Sequence, residues 1–102
     1  MTDTGVIKST HLGPEDHGIL TCFLYIEGDG WGQGFGGYDL RRERIAAHWI
    51  SGILRVLEKE RWEDLKGTPV RVDREGGGLS GRILRVGHFF KDKWFNPEEP
   101  QP

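Results

Sequence analysis

Residues 19–60 read ILTCFLYIEGDGWGQGFGGYDLRRERIAAHWISGILRVLEKE, and this stretch decides the fold. Its first nine residues are apolar on both faces of an extended chain, which is typical of a central strand covered on two sides. One predicted face carries Leu20, Cys22, Leu24 and Ile26, and the other carries Ile19, Phe23 and Tyr25. The lone Cys22 is therefore interpreted as a small buried hydrophobe.

The last twenty residues of the stretch have the periodicity of an amphipathic helix. Apolar residues recur at spacings of four, four and three, at Ile45, Trp49, Ile53 and Val56, and neighbouring apolar positions widen the stripe. This pattern predicts a helix over residues 41–60, with Asp39 as its N-cap and Trp49 in the core.

The flanking segments read as strands. Residues 6–12 predict a first strand, residues 33–40 a third, and residues 69–75 with 79–90 a hairpin whose inward residues include Val70, Val72, Ile83, Leu84 and Val86. Trp94 and Phe95 either close the core or bury themselves in a partner chain. The order βββαββ predicts an α+β domain: an antiparallel sheet of about five strands packed against one amphipathic helix. A single domain over residues 1–96 and a flexible tail over 97–102 follow from the length and the proline content of the end.

Composition and charge exclude several classes of protein. The chain has 102 residues, a net charge of −2 and one cysteine, so an internal disulfide is impossible and general nucleic-acid binding is not expected. Residues 1–40 carry a net charge of −5 and residues 41–102 a net charge of +3. No apolar run is long enough to span a membrane, and the first residues lack the features of a signal peptide. We therefore expect no membrane association and a reducing, cytoplasmic location.

Three segments of this chain resemble a family of small bacteriophage and prophage proteins. They read EDHGILT at residues 15–21, GQGFGGY at residues 32–38 and DKWF at residues 92–95. The family is usually described as hypothetical, so the resemblance implies a phage protein acting in the host cytoplasm and implies no chemistry. Small phage accessory proteins often counter bacterial defence, which suggests such a role by analogy alone.

Six glycines between residues 28 and 37 make up the first candidate site. Gly32, Gly34 and Gly37 match G-x-G-x-x-G, but the chain is too short for a dinucleotide fold and three residues separate the motif from the helix. A glycine-rich loop remains capable of binding an anion through its backbone N–H groups. Its predicted ligand-binding residues are Trp31, Gln33, Gly34, Phe35, Gly36 and Tyr38. The alternative is a glycine-rich edge strand or a subunit contact.

Arginines make up the second candidate site, because guanidinium groups suit bidentate contacts with phosphate. Arg71 and the arginines of the returning strand, Arg85 among them, are predicted to share the exposed face of the hairpin and to neutralise a phosphorylated ligand. The alternative is a solvated surface with ion pairs along the helix.

Glu15, Asp16 and His17, with His11 upstream, make up the third candidate site. A carboxylate beside a histidine supports acid–base catalysis, so these residues are the only weak candidates for catalysis. None of the strong metal-ligand spacings is present, and no metal or cofactor is expected. The alternative is a turn in which Asp16 caps backbone amides and His17 packs on the sheet.

These features lead to three functional hypotheses. The first is a non-enzymatic phage counter-defence protein that sequesters a small anionic, nucleotide-derived ligand through the glycine-rich aromatic loop and the arginines. The second is a protein-binding inhibitor of a host defence enzyme such as a CRISPR effector. The third is a small hydrolase using Glu15, Asp16 and His17. A homo-oligomer is expected in each case, because so small a domain gains a pocket most easily at a symmetric interface.

Overall fold

A computed structural model describes residues 2–15, 17–37, 40, 43–76 and 81–98. In chain order the elements are β1 (Thr2–Pro14), β2 (Leu20–Gly28), β3 (Trp31–Gly37), α1 (Glu43–Leu57), a 3-10 helix (Trp62–Asp64), β4 (Pro69–Arg74), β5 (Ile83–His88) and β6 (Trp94–Phe95). The strands form one antiparallel sheet in the order β3-β2-β1-β4-β5-β6. This confirms the predicted α+β class, with one α-helix among the described residues.

The sheet curls because its longest strand, β1, pairs with a different neighbour along each half of its length. β1 pairs with β4 along its first half and with β2 along its second half, and the register shifts between Ile7 and Ser9. Such a bulge bends a strand and increases its twist. As a result β3 contacts β5, although the two are four places apart in the sheet order. The sheet is therefore a partly open barrel.

The core lies on the inner face of the barrel, which α1 covers by packing against β5 and β6. Strand residues that point inward, among them Ile7, Leu24 and Val72, meet Ile53 and Val56 from the helix stripe. Trp62 and Leu65 lie buried at the end of this core. The alternation of buried Val70 and Val72 with outward Arg71 and Asp73 in β4 is as predicted.

Four details differ from the sequence predictions. The sheet has six strands rather than five, because Trp94 and Phe95 pair with β5 while Phe95 enters the core. α1 ends at Leu57, where Glu58 takes a left-handed conformation with φ of 58°. Leu84, predicted to be in the core, is exposed, because the register shift between Asp73 and Arg74 leaves it without a partner in β4 while Ile83 and Val86 both face inward. The second face of β2 is not covered: Phe23 is 40% exposed.

Candidate functional site

The glycine-rich segment is a strand at the edge of the sheet and not a loop. Trp31–Gly37 pairs with β2 without any register shift, so side chains alternate strictly between the two faces. Gly32, Gly34 and Gly36 point outward, and a Cβ on Gly32 or Gly34 would collide with the ring of Tyr25 or Phe23. The missing side chains therefore let two aromatic rings of β2 lie flat across β3. The prediction of a glycine-rich loop is wrong, and the alternative of an edge strand is confirmed.

Trp31, the first of the inward residues of β3, is buried against the interior of the barrel. The guanidinium of Arg74 lies 4.6 Å from the centroid of its ring, and Arg74 is itself only 1% exposed. Arg74 Nη2 also lies 3.3 Å from Asp3 Oδ2. A ring covered in this way offers no face to a ligand, so Trp31 supports the barrel instead of stacking on a base.

Gln33 joins the two strands that curl toward each other. Its Nε2 donates to the carbonyl oxygen of Gly81 at 2.6 Å, and its Oε1 accepts from the N–H of Ile83 at 3.3 Å. Both ends of the amide are therefore occupied by the chain just before and at the start of β5. The amide of Gln33, a predicted ligand-binding residue, is therefore not available to a ligand in this arrangement.

The barrel stays open beyond Gln33, and a cavity of about 570 Å³ occupies the gap, which we call the edge slot. Its lining combines Gly34, Phe35 and Gly36 of β3, Trp49 of α1, Arg82, Ile83 and Leu84 at the start of β5, and Asn96, Pro97 and Glu98 near the C-terminus. Three of the predicted ligand-binding residues thus meet an arginine and an aromatic ring at one cavity.

An aromatic cluster fixes the floor of the edge slot. The Phe35 and Trp49 ring centroids are 5.3 Å apart, and Phe95 lies 5.2 Å from Trp49. Gly37 makes room for Trp49, because a Cβ there would come within 2.6 Å of the indole. His48 donates from Nε2 to the carbonyl oxygen of Pro97 at 3.0 Å, which holds one wall of the slot against α1.

Arg82 supplies the positive charge at the edge slot. Its Nη2 lies 3.3 Å from Glu75 Oε1, and both side chains are largely in water. An exposed ion pair of this kind contributes little to stability, so its guanidinium can turn toward another anion at small cost. Glu98 lines the same cavity, and its carboxylate repels anions, so it limits the negative charge of a ligand in the slot.

Arg71 and Arg85 do not line the edge slot, although both were predicted to bind the ligand. They share the outer face of β4 and β5 as expected, and their guanidinium carbons lie 4.9 and 4.2 Å from the centroid of Trp94. Arg71 donates to the carbonyl oxygens of His88 and Lys91, and Arg85 pairs with Asp73 at 3.2 Å. The two arginines build a stacked cluster with Trp94.

Glu15 organises the loop between β1 and β2. Its Oε1 accepts from the backbone N–H groups of His17 and Ile19, and its Oε2 accepts from His17 Nδ1 at 3.0 Å. The hydrogen bond from His17 is the main cause of the lowered pKa of Glu15, which is therefore a carboxylate at neutral pH. Asp16, which was predicted to cap backbone amides, lies outside the described residues. Among the described residues, Glu15 accepts the hydrogen bonds of these amides.

The Glu15–His17 pair has the contact of an acid–base dyad but faces solvent. The side chain of His17 is 82% exposed, so the prediction that it packs on the sheet is wrong. His11 lies across β1 with its Nε2 3.1 Å from the carbonyl oxygen of Gly13. Glu15 and His11 contribute to a second cavity, of about 420 Å³, on the outer face of β1–β3. We call it the outer cleft.

Tyr38, the remaining predicted ligand-binding residue, lies outside the described residues. Cys22 is buried, and burial raises the pKa of its thiol, so it is a poor nucleophile. Among the described residues no three His, Cys, Asp or Glu side chains are grouped to hold a metal ion. Within the same part of the chain, no helix is both long and apolar enough to cross a membrane.

The sequence signals for the edge slot were partial. In the sequence, Trp31, Gln33 and Phe35 alternate with glycines, and this repeat of two residues is typical of a strand. The contribution of Trp49, Arg82 and Asn96 was not predicted, because nothing in a linear sequence brings the start of β5 beside β3. Comparison of the chain with protein-family models, curated proteins and solved structures finds no match.

Proposed function

We propose that this protein is a non-enzymatic binding protein that holds a small anionic, nucleotide-derived ligand in the edge slot. The observation that carries the proposal is the meeting of the glycine edge of β3, the Arg82 guanidinium and the Trp49 ring at one cavity. Its volume of about 570 Å³ lies in the range of roughly 300–1,000 Å³ that small-molecule sites occupy.

Each part of the slot suits a different part of such a ligand. An edge strand presents unpaired backbone groups on its free side, and Gly34 and Gly36 contribute only backbone atoms there, while the Phe23 ring lies over the outer side of Gly34. Arg82 provides a planar guanidinium for phosphate oxygens. Trp49 provides an indole on which a base can stack. Asn96 shapes the wall of the slot, where its Oδ1 accepts from the N–H of Glu98 at 3.0 Å.

The connectivity of the strands gives independent support at the level of fold. β1 pairs with both β2 and β4, the helix lies between β3 and β4, and β3 approaches β5. Oligonucleotide- and oligosaccharide-binding barrels have this connectivity and bind ligands beside strands 2 and 3 and the loop before strand 5. The edge slot lies between β3 and the start of β5. This support is an analogy of fold and does not identify the ligand.

The resemblance to phage proteins suggests what such binding achieves. A protein that binds tightly and does no chemistry lowers the free concentration of its ligand. In the host cytoplasm, sequestration of a nucleotide signal would silence a defence system that depends on it. The proposal therefore assigns the protein a counter-defence role without a catalytic step.

The test is to identify what the protein carries and to show where it is bound. The protein is purified from cells that express candidate defence systems and is denatured by heat, and the supernatant is analysed by mass spectrometry. A nucleotide at near-stoichiometric amount is expected. The same species is then titrated against the protein while Trp fluorescence and the melting temperature are followed.

Arg82→Glu tests the location of the site, and Arg61→Glu is its matched control. Both arginines are 70% exposed, and each forms an ion pair at 3.3 Å with a carboxylate. We expect Arg82→Glu to weaken binding at least about tenfold, since it replaces a charge-assisted contact by repulsion, while Arg61→Glu binds normally. An empty supernatant together with no response to a panel of mono-, di- and cyclic nucleotides would overturn the proposal. If Arg82→Glu and Arg61→Glu bound the ligand equally well, the binding site would lie outside the edge slot.

A further inference from the structure

Phe90 is the most exposed large apolar side chain of the described residues, with 83% of its surface in water. It lies in the turn between β5 and β6, where its ring packs edge-on against Phe89 at 4.9 Å between centroids. A single exposed phenylalanine needs no explanation by itself. The surroundings of this one give it a specific meaning.

The turn that carries Phe90 is held by hydrogen bonds from two side chains, His88 and Arg71. His88 Nδ1 accepts from the N–H groups of Phe90 and Lys91, both at 3.1 Å. Arg71 donates to the carbonyl oxygens of His88 and Lys91 at 2.8 and 2.7 Å. A rigid aromatic side chain loses little entropy when it is buried by a partner, which is the property of an anchor residue at a protein interface.

Positive charge surrounds the anchor. Lys91 and Lys93 both reach Glu58, with Nζ to Oε2 distances of 2.8 and 3.0 Å. Two ammonium groups share one carboxylate, and the guanidinium of Arg71 lies against the same turn. With Asp92 in the same turn, three positive and two negative side chains surround the ring, so the rim has a net positive charge and suits an apolar recess with negative charge.

The outer cleft has these properties. Its lining consists of His11, Glu15, Thr21, Cys22, Phe23 and three glycines, Gly34, Gly36 and Gly37. The lining is mostly apolar, contains no lysine or arginine, and includes one carboxylate whose lowered pKa keeps it charged. Phe23 offers a ring face, because its ring lies over Gly34 of β3 and is 40% exposed as a residue. Aromatic pairs of this kind favour offset or edge-on packing.

We propose that Phe90 of one copy inserts into the outer cleft of a second copy, with Lys91 directed toward Glu15. The two contact surfaces are different, so the contact is head-to-tail and repeats from copy to copy. Repetition closes into a ring when the rotation permits, or continues as a filament. The anchor is separate from the edge slot, since Phe90 and Lys91 are absent from the lining of that cavity, whereas the outer cleft shares Gly34 and Gly36 with it.

The first experiment measures mass in solution. Light scattering coupled to size exclusion, over a wide range of protein concentrations, is expected to give a multiple of 11.6 kDa for the unmodified chain. Phe90→Ala is expected to be monomeric. Ile45→Ala is the matched control, because it also removes an exposed apolar side chain but lies on α1 outside both surfaces. It should assemble like the unmodified protein.

A complementation experiment tests the pairing itself. Phe23→Lys places a positive charge in the cleft and leaves the anchor intact, whereas Phe90→Ala leaves the cleft intact. Each variant alone should be monomeric, and an equal mixture should form a dimer with one productive contact. His11→Trp, which fills the cleft from β1, replaces Phe23→Lys if the latter melts at a lower temperature.

Several outcomes would overturn the inference. An unmodified protein that remains monomeric at every concentration has no such contact. Assembly of Phe90→Ala to the same size as the unmodified protein would show that another surface is responsible. If neither cleft variant forms a dimer with Phe90→Ala, although each is folded by circular dichroism, then Phe90 does not bind in the outer cleft.

Discussion

Gln33 bridges β3 and the start of β5, and removal of its amide should open the seam between these two strands. The side chain makes one hydrogen bond to Gly81 at 2.6 Å and one from Ile83 at 3.3 Å. At about 0.5–1.5 kcal/mol for each bond, Gln33→Ala should lower the free energy of unfolding by about 1–3 kcal/mol. For a domain of this size, that corresponds to a fall in melting temperature of roughly 5–15 °C.

Urea unfolding and hydrogen exchange together measure this effect. The midpoint should fall while the m-value stays unchanged, because the surface exposed on unfolding is nearly the same. The amide of Ile83 should lose protection more than the amide of Val72, which lies in the middle of β4. Thr68→Ala is the control, since it removes a local side-chain bond to Asp64 away from the seam.

Gln33→Glu separates the two bonds. A charged carboxylate still accepts from Ile83 but repels the carbonyl oxygen of Gly81, so it should destabilise the protein at neutral pH. Protonation restores a donor toward Gly81, and the variant should therefore recover stability relative to the unmodified protein as the pH falls. The reasoning is refuted if Gln33→Ala changes the unfolding free energy by less than about 0.3 kcal/mol and leaves Ile83 protected, a change no larger than that of a neutral surface substitution.

Three further predictions concern other parts of the molecule. Hydrogen bonds from Lys91 and Lys93 lower the pKa of Glu58 to about 2, so its stabilisation is present above the ordinary pKa of 4.5 and is lost as the pH falls toward 2; Glu58→Gln should flatten this dependence in urea titrations between pH 2 and 7. Gly87→Ala places a Cβ 2.7 Å from the Trp94 ring and 3.0 Å from a backbone oxygen, and we expect a loss of about 1–3 kcal/mol in denaturant unfolding. The thiol of Cys22, buried and with a raised pKa, should react with an aromatic disulfide reagent only as fast as the protein opens, and rapid stoichiometric labelling of the folded protein would contradict its burial.

The periodicity of apolar residues in the sequence predicted most of the fold. The spacing of Ile53 and Val56 places them on one side of a helix, and the alternation in β4 places Val72 inward and Arg71 outward, whatever the partner elements are. Local geometry alone determines these faces, because helical and extended chains repeat at fixed intervals. The helix end was less predictable, since Glu58 leaves the helix where its carboxylate meets Lys91 from a distant turn.

The structure brings together only some of the residues that were predicted to bind the ligand. Gly34, Phe35 and Gly36 line the edge slot, but Trp31 and Gln33 are used to hold the barrel together. A tryptophan among glycines reads as exposed in a sequence because its neighbours have no side chains. In the structure the same lack of side chains allows rings from another strand to pack there.

The sequence by itself determined the inward face of β4, the apolar stripe of α1, the α+β class and the location of the hairpin, because these depend on intervals within each segment. The tertiary structure alone decided that β1 serves two partners, that the sheet curls until Gln33 reaches Ile83, and that Arg82 stands beside the glycine edge. Those juxtapositions depend on the curvature of the whole sheet, which is a sum over strands far apart in sequence. The candidate site exists only at that level.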